Sequence, residues 1–233
     1  GLDFKDGTDF SDLIRALDEV DGIERVRYMT SHPRDMPREM VDVMAASPKE
    51  ARHMHLPVQH GDVEMLRRLN RGYTIEHFEE MVDYVREKMP DIVLTTDLIT
   101  GFPGETEEEF AESLAFAKEI RFAKAHVFAY SRRPGTKAND APDQITQRVK
   151  EERSRRMIAA TQQTKAAFFQ AQLGRVETVL FEQEVAPHVY DGYTANYTPV
   201  KVSSAKDLRG KILPVLLRET DGNNCYGTVQ ENI

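Results

Sequence analysis

Four short segments of this sequence concentrate the side chains that could do chemistry. They are Thr30-Ser31-His32-Pro33, Pro57-Val58-Gln59-His60-Gly61, the run from Thr95 through Asp97, Thr100 and Gly101 to Thr106, and Tyr130-Ser131-Arg132-Arg133-Pro134-Gly135-Thr136. Each joins hydroxyl, amide, imidazole or guanidinium groups to Gly or Pro, the residues that turn a chain. One such segment reads as an ordinary turn; four in succession imply a polar ligand. His53 and His55 alternate, so a strand would present both on one face, and with Asp97 they raise a His-x-His metallohydrolase site. Only His126 could add a later strand ligand, and packing or a structural hydrogen bond accounts for the pair more simply. Asp97, inside an apolar strand, needs a partner, either neighbouring threonines or a cofactor. The single cysteine, Cys225, excludes an intramolecular disulfide and a cysteine-only metal cluster built from this chain. Beside Tyr226 it reads as a small hydrophobe.

The elements that must position these groups follow from periodicity. Helical spacing runs over Phe10, Leu13, Ile14, Leu17 and Val20, and again after Pro37 over Met40, Val41 and Met44. It returns over Val63, Leu66 and Leu69, over Ile75 to Met89, and over Phe110 to Ile120, where Thr106 and Glu109 form a capping box. Between them, Ile23–Thr30, His53–Val58, Ile92–Ile99 and Ala125–Tyr130 read as strands. Strand and helix alternating at this spacing predict parallel βα units, whose ligands bind at the carboxyl ends of the strands. Four strands are half of a closed (β/α)₈ barrel, so residues 1–147 read as a partial barrel, the back portion of a larger one. Its first strand should leave an exposed edge through which chains could self-associate.

Residues 148–173 read as a linking helix, beginning near Asp143 and basic in its first half. In residues 174–233 the pattern changes to short strands at 176–181, 197–202, 211–217 and 226–229, with Gly192, Gly210, Gly222 and Gly227 as turns. That predicts a small antiparallel barrel of OB type. The 233 residues carry a net charge of −8, unevenly shared. Residues 1–147 hold 19 Lys and Arg against 29 Asp and Glu, the remainder 12 against 10. A polyanion would therefore meet the second part, and the first suits a smaller ligand. No apolar run approaches the roughly 20 residues that span a bilayer, so no membrane partner is expected, and a reducing, cytoplasmic setting fits.

The strand-end segments, with Asn70-Arg71-Gly72-Tyr73-Thr74, resemble those of the radical-SAM methylthiotransferases. The resemblance extends over essentially the whole chain, and residues 174–233 are similar to that family's RNA-binding TRAM domain. It implies S-adenosylmethionine as cofactor, held by Gln59, Gly61, Thr96, Asp97, Thr100, Gly101, Tyr130 and Ser131. It implies a tRNA anticodon stem-loop as partner, met by Arg132, Arg133, Tyr193, Asn196, Lys201, Arg209 and Lys211. The reaction implied is addition of a methylthio group to N6-isopentenyladenosine beside the anticodon. A threonylcarbamoyladenosine or ribosomal-protein substrate is the alternative within the family, and a non-enzymatic RNA-binding protein the alternative outside it. The family's two [4Fe–4S] clusters need cysteine ligands that this sequence lacks. No residue is therefore assigned to catalysis or to metal, and the chain alone is expected to be inactive.

Overall fold

A computed structural model describes residues 7–230. The first unit begins with α1 (Phe10–Asp18), capped by the Asp9 carboxylate, and α2 (Arg38–Ala46). It continues through β1 (His53–His55), α3 (Val63–Arg68), α4 (Ile75–Lys88), β2 (Val93–Thr100), α5 (Glu107–Ile120) and β3 (Lys124–Ala129). The three strands form a parallel sheet in the order β1-β2-β3. One face of that sheet is packed. Leu94 and Leu98 of β2 lie with Met54 and Leu56 against Phe78, Val82 and Val85 of α4 and Phe110, Phe116 and Ile120 of α5. The opposite face, which carries Asp97 and Ile99, is covered by no helix of that core and remains partly exposed.

Three strands, not four, make this sheet. The strand expected at Ile23–Thr30 is reduced to an isolated bridge between Val26 and Glu50. Val26 N–H donates to Lys49 O at 2.8 Å, and the next link is Ser31 N–H to His55 O at 3.3 Å. The next rung would need Ala51 O and His53 N–H, and these bond to each other at 2.8 Å, while Arg52 N–H donates to Ala195 O of the second unit at 3.1 Å, so the ladder stops there. Arg25 and Arg27 of the same segment turn instead to the second unit, donating to Tyr193 O at 3.0 Å and Thr194 O at 3.1 Å. Pro57 also cuts β1 short of the expected Val58. The ladder resumes at Gln59, whose N–H donates to Asp97 O and whose carbonyl accepts from Ile99 N–H.

A 26-residue helix, α6 (Gln147–Gln172), lies along β3 and α5 and leads into the second unit. There β4 (Val176–Ala186), β5 (Val189–Thr194), β6 (Pro199–Ser203), β7 (Ile212–Thr220) and β8 (Cys225–Val229) close a barrel in the order β4-β5-β6-β8-β7. All its pairings are antiparallel except β6 with β8. Val179, Phe181, Val200, Val215 and Leu217 fill it, and Phe169 of α6 packs against them. Two of the four glycines read as turns lie inside strands. A Cβ on Gly192 in β5 would strike the Leu180 carbonyl, and one on Gly227 in β8 would come within 2.5 Å of Leu216 O. These glycines let neighbouring backbones cross closely at a tight barrel wall. Gly210 and Gly222, at φ +71° and +80°, do turn the chain.

Candidate functional site

At the carboxyl end of the sheet, the loops after β1 and β2 meet α6 through the carboxylate of Glu105, which is fully buried. Asp62 N–H donates to His60 Nδ1 at 3.1 Å, so the imidazole carries its hydrogen on Nε2 and donates to Glu105 Oε1 at 3.0 Å. Gly101 N–H donates to the other oxygen at 2.8 Å, and Arg153 of α6 at 2.5 Å. Arg153 also holds the Glu105 carbonyl at 2.9 Å. A buried ion pair contributes when such additional bonds satisfy its remaining lone pairs. This one fixes three chain segments around one point. Beside it, Gln59 sits at φ +74°, a conformation costing about 1–3 kcal/mol for a side chain that is not glycine.

The loops after β1, β2 and β3 enclose a cleft of about 540 Å³, bordered by Gln59, Arg71, Ile99, Phe102, Phe128, Tyr130, Ser131 and Arg133. That volume is within the range of small-molecule sites. Tyr130 packs edge-on against Phe102 at 5.1 Å, and Lys150 donates to its carbonyl at 3.0 Å. The Tyr130 hydroxyl is buried with no hydrogen-bond partner among the described residues. Leaving such a group unsatisfied costs about 1–3 kcal/mol, which a polar ligand would recover. Arg71, anchored on Pro57 O, and the exposed Arg133 put positive charge at the border.

Of the eight residues expected to hold a cofactor, Gln59, Asp97, Tyr130 and Ser131 face the cleft or the open face of the sheet; the other four do not. Thr96 is buried among the helices, donating to Leu56 O at 2.7 Å and accepting from Val58 N–H at 3.1 Å. Thr100 is buried against Ser154 of α6 at 2.7 Å. Gly61 abuts α5, where a Cβ would lie 2.6 Å from Phe116. Gly101, at φ +70°, supplies the turn on which Lys150 packs. Alternation explains the threonines: in β2 they share the packed face with Leu94 and Leu98.

The open face holds His53, His55, Thr95, Asp97, Lys124 and His126. Thr95 Oγ1 lies 3.0 Å from His53 Nε2 and 2.8 Å from His55 Nδ1, while His55 Nε2 is 3.5 Å from Asp97. His126 lies opposite Asp97 in the ladder and edge-on to His55. Burial, then the charges of His55, Arg27 and Lys124, push the His53 pKa down to about 4. Each of the paired histidines thus spends one nitrogen on Thr95. No three His, Cys, Asp or Glu among the described residues are arranged to hold a metal ion. Lys124 and Phe128 have no part in the sequence reading, and Arg71 and Glu105 enter it only inside longer segments, without a role of their own.

A profile of the Radical SAM superfamily matches residues 1–117. The chain belongs to the radical SAM superfamily. Among curated relatives, a protein of Pelotomaculum thermopropionicum is 40% identical over 218 residues, covering 92% of this chain and 48% of the relative. One from Desulforamulus reducens is 38% identical, covering 100% and 51%, and one from Alkaliphilus oremlandii 40% identical, covering 95% and 47%. All three are named tRNA-2-methylthio-N(6)-dimethylallyladenosine synthase. The chain spans about half the length of these curated relatives.

Superfamily membership implies S-adenosylmethionine and an iron–sulfur cluster, and the residues present answer differently to each. The cleft, with its unpartnered Tyr130 hydroxyl and its cationic border, fits a polar cofactor carrying a carboxylate. A cluster does not fit these residues. Cys225 is the one thiol, it is buried in the second barrel, and burial pushes its pKa up to about 11. No chemical step is therefore derived through a cluster.

The residues expected to meet RNA are scattered on this radical SAM chain. Asn196 is 5% exposed and its amide is committed to Thr194, Thr198 and Gln172, so it cannot reach a base. Tyr193 and Tyr197 stack on each other at 4.7 Å, and Tyr197 also stacks on His53 at 5.0 Å beneath the Arg27 guanidinium. They join the two units, and Tyr197 stays 44% exposed. Arg209 is neutralised by Asp207 at 2.8 Å, with Lys211 beyond it, and Lys201 stands opposite Asp191 in the ladder. Arg132 bonds Asn139 O across its own loop, leaving Arg133 free at the cleft border.

Proposed function

We propose that this chain supplies the cofactor cleft and RNA-contacting surface of a tRNA methylthiotransferase whose product is 2-methylthio-N(6)-dimethylallyladenosine. The observation that carries the reading is the match of 92–100% of this chain to relatives that share that one name. The cleft supports it, because its lining suits a polar cofactor and lies at the strand ends where parallel βα folds bind ligands. S-adenosylmethionine, when bound and reduced, supplies the radical chemistry that opens an unactivated C–H bond. What this chain does is bind and orient. Ser131 and the Tyr130 hydroxyl offer hydrogen bonds, Arg71 and Arg133 face the cofactor's carboxylate, and Ile99, Phe102 and Phe128 exclude water. The Glu105 anchor keeps the strand-end loops in register. The open face, with Asp97, His55 and His126, is where the adenine would be received. The second barrel is proposed as the TRAM-type, OB-like unit beside that face, and a tRNA substrate places the protein in the cytoplasm.

Titrating S-adenosylmethionine into the isotope-labelled chain while following backbone amides by NMR tests the cofactor part. Shifts confined to residues 59–61, 98–104 and 128–133 are expected. Shifts absent at millimolar cofactor, or centred on the second barrel, would contradict the assignment.

A further inference from the structure

Two further cavities lie at the opposite, amino-terminal end of the sheet. One, of about 750 Å³, lies between the foot of β2 and β3 and the second half of α6; the other, of about 150 Å³, lies between the sheet and the second barrel. Val93, Ala123 and Phe168 line both, so the two adjoin along these residues as one trough-like stretch of surface. Among the described residues its walls carry Arg86, Lys118, Arg121, Lys124 and Lys165 and no carboxylate. In a chain with 39 acidic residues against 31 basic ones, that is a strong local reversal of charge.

We propose that this trough holds the phosphodiester backbone of RNA. The local structure sets up the line of charge. Lys118 lies in the last turn of α5, and Arg121 follows at its C-cap with φ +55°, turning the chain directly into β3 and Lys124. Across the trough, Lys165 lies on the face of α6 that also carries Phe168. Its ammonium is held toward the trough by Asn223 Oδ1 at 2.7 Å. Lys124 and Lys165 line the same small cavity, and burial, then the charge of Lys124, lowers the Lys165 pKa, so a phosphate placed there would favour both ammonium groups. Asp221 is the carboxylate that acts on Lys165, and it is occupied by the Asn223 and Asn224 N–H groups and by Tyr226. Glu119, beside Lys118, is exposed and does not line the trough.

The mixture of side chains favours a nucleic-acid backbone over an acidic protein segment. Lys118, Arg121 and Lys124 gather at the α5–β3 turn with Lys165 on α6, and Phe168, Tyr193 and Tyr197 line the smaller cavity beside them. The trough also ends at His53 and Thr95, the lower edge of the open face, so a backbone lying in it would bring a base to that face. The proposal rests on the tRNA reading only for which RNA is bound.

The test uses the full chain and an unmodified tRNA transcript, with affinity measured by fluorescence anisotropy from 50 to 300 mM KCl. Each lost phosphate contact lowers the slope of log K against log salt by about 0.7 on single-stranded RNA. The variant K118Q/R121Q/K124Q/K165Q, with a wild-type circular dichroism spectrum, should flatten that slope by about 3 and weaken binding at least tenfold at 100 mM salt. K201Q/R209Q/K211Q, on the second barrel, should change the slope by less than 1. An unchanged slope in the quadruple variant, or the whole effect in the barrel variant, would overturn the proposal. So would equal competition by polyglutamate of matched charge, which would point to an acidic protein. Failure of the methylthio-transfer reading would leave this salt slope in place and appear only in the nucleoside content of cellular tRNA.

Discussion

Replacing Glu105 by Gln tests whether the rim of the cleft is held at one point. The side chain keeps its size, loses its charge and exchanges one acceptor oxygen for an NH₂ donor. In the wild type both oxygens receive hydrogen bonds, from His60, Gly101 and Arg153. The amide therefore confronts at least one donor with another and leaves the Arg153 guanidinium, only 6% exposed, without its principal counter-charge. Glu107, 3.4 Å from Arg153 Nε and half exposed, compensates little. Breaking a buried pair from one side costs about 3–5 kcal/mol. For a protein of this size that is roughly 6–20 °C in melting temperature. Thermal unfolding followed by circular dichroism at pH 7 gives the shift, and the cycle E105Q, R153M and E105Q/R153M separates the coupling from the single losses. The double variant should be less destabilised than the two singles added together. A loss below 1 kcal/mol in E105Q, or simple additivity in the cycle, would refute the anchor.

Glu50 is 5% exposed, neither carboxylate oxygen has a hydrogen-bond partner among the described residues, and burial with Asp18 nearby pushes its pKa up to about 7. A carboxyl with a raised folded pKa adds stability at low pH that is lost as pH rises from about 4.5 through 7, so Glu50→Gln should stabilise the chain at pH 8 by about 1–3 kcal/mol in urea unfolding and leave pH 4 nearly unchanged. His53 acts in the opposite sense. Its depressed pKa of about 4 means that the neutral ring is favoured by the fold, so stability is lost as pH falls from about 6.5 to 4, and His53→Gln should remove that loss in the same assay. Gly192→Ala forces a Cβ into the Leu180 carbonyl and should destabilise the second barrel by about 1–3 kcal/mol, read as an earlier unfolding transition; a neutral outcome would contradict the close crossing. Tyr130→Phe removes the unpartnered hydroxyl and should leave stability within about 1 kcal/mol or raise it, while weakening S-adenosylmethionine binding in calorimetry about three- to tenfold.

Much of the first unit was legible because its helices and its two long strands carry clean periods. Leu94 and Leu98 already assign Thr96 and Thr100 to their own packed face, so alternation alone could have excluded both threonines from the cleft and retained Asp97. The segment at Ile23–Thr30 has strand-forming residues, yet a strand needs a partner, and the Ala51 carbonyl and His53 N–H that would extend its bridge bond to each other. Gly192 shows the reverse difficulty: glycine marks turns and close crossings alike, and only the pairing of β5 with β4 tells them apart. The Glu105 anchor had no local signal. It sits among Glu107, Glu108 and Glu109, and what distinguishes it is Arg153, 48 residues away. Cations raise a similar difficulty: Lys201, Arg209 and Lys211 are close in sequence, whereas Lys118, Lys124 and Lys165 line neighbouring cavities only when α6 lies along β3.

The most direct test of the central claim is the nucleoside content of tRNA from cells in which the gene encoding this chain is disrupted, measured by liquid chromatography and mass spectrometry. Disruption should abolish 2-methylthio-N(6)-dimethylallyladenosine and leave its precursor, N(6)-dimethylallyladenosine, in its place. Complementation with the wild-type gene should restore the product, whereas the gene carrying Glu105→Gln should restore little of it. Unchanged 2-methylthio-N(6)-dimethylallyladenosine after disruption, or loss of a different methylthio nucleoside, would contradict the account.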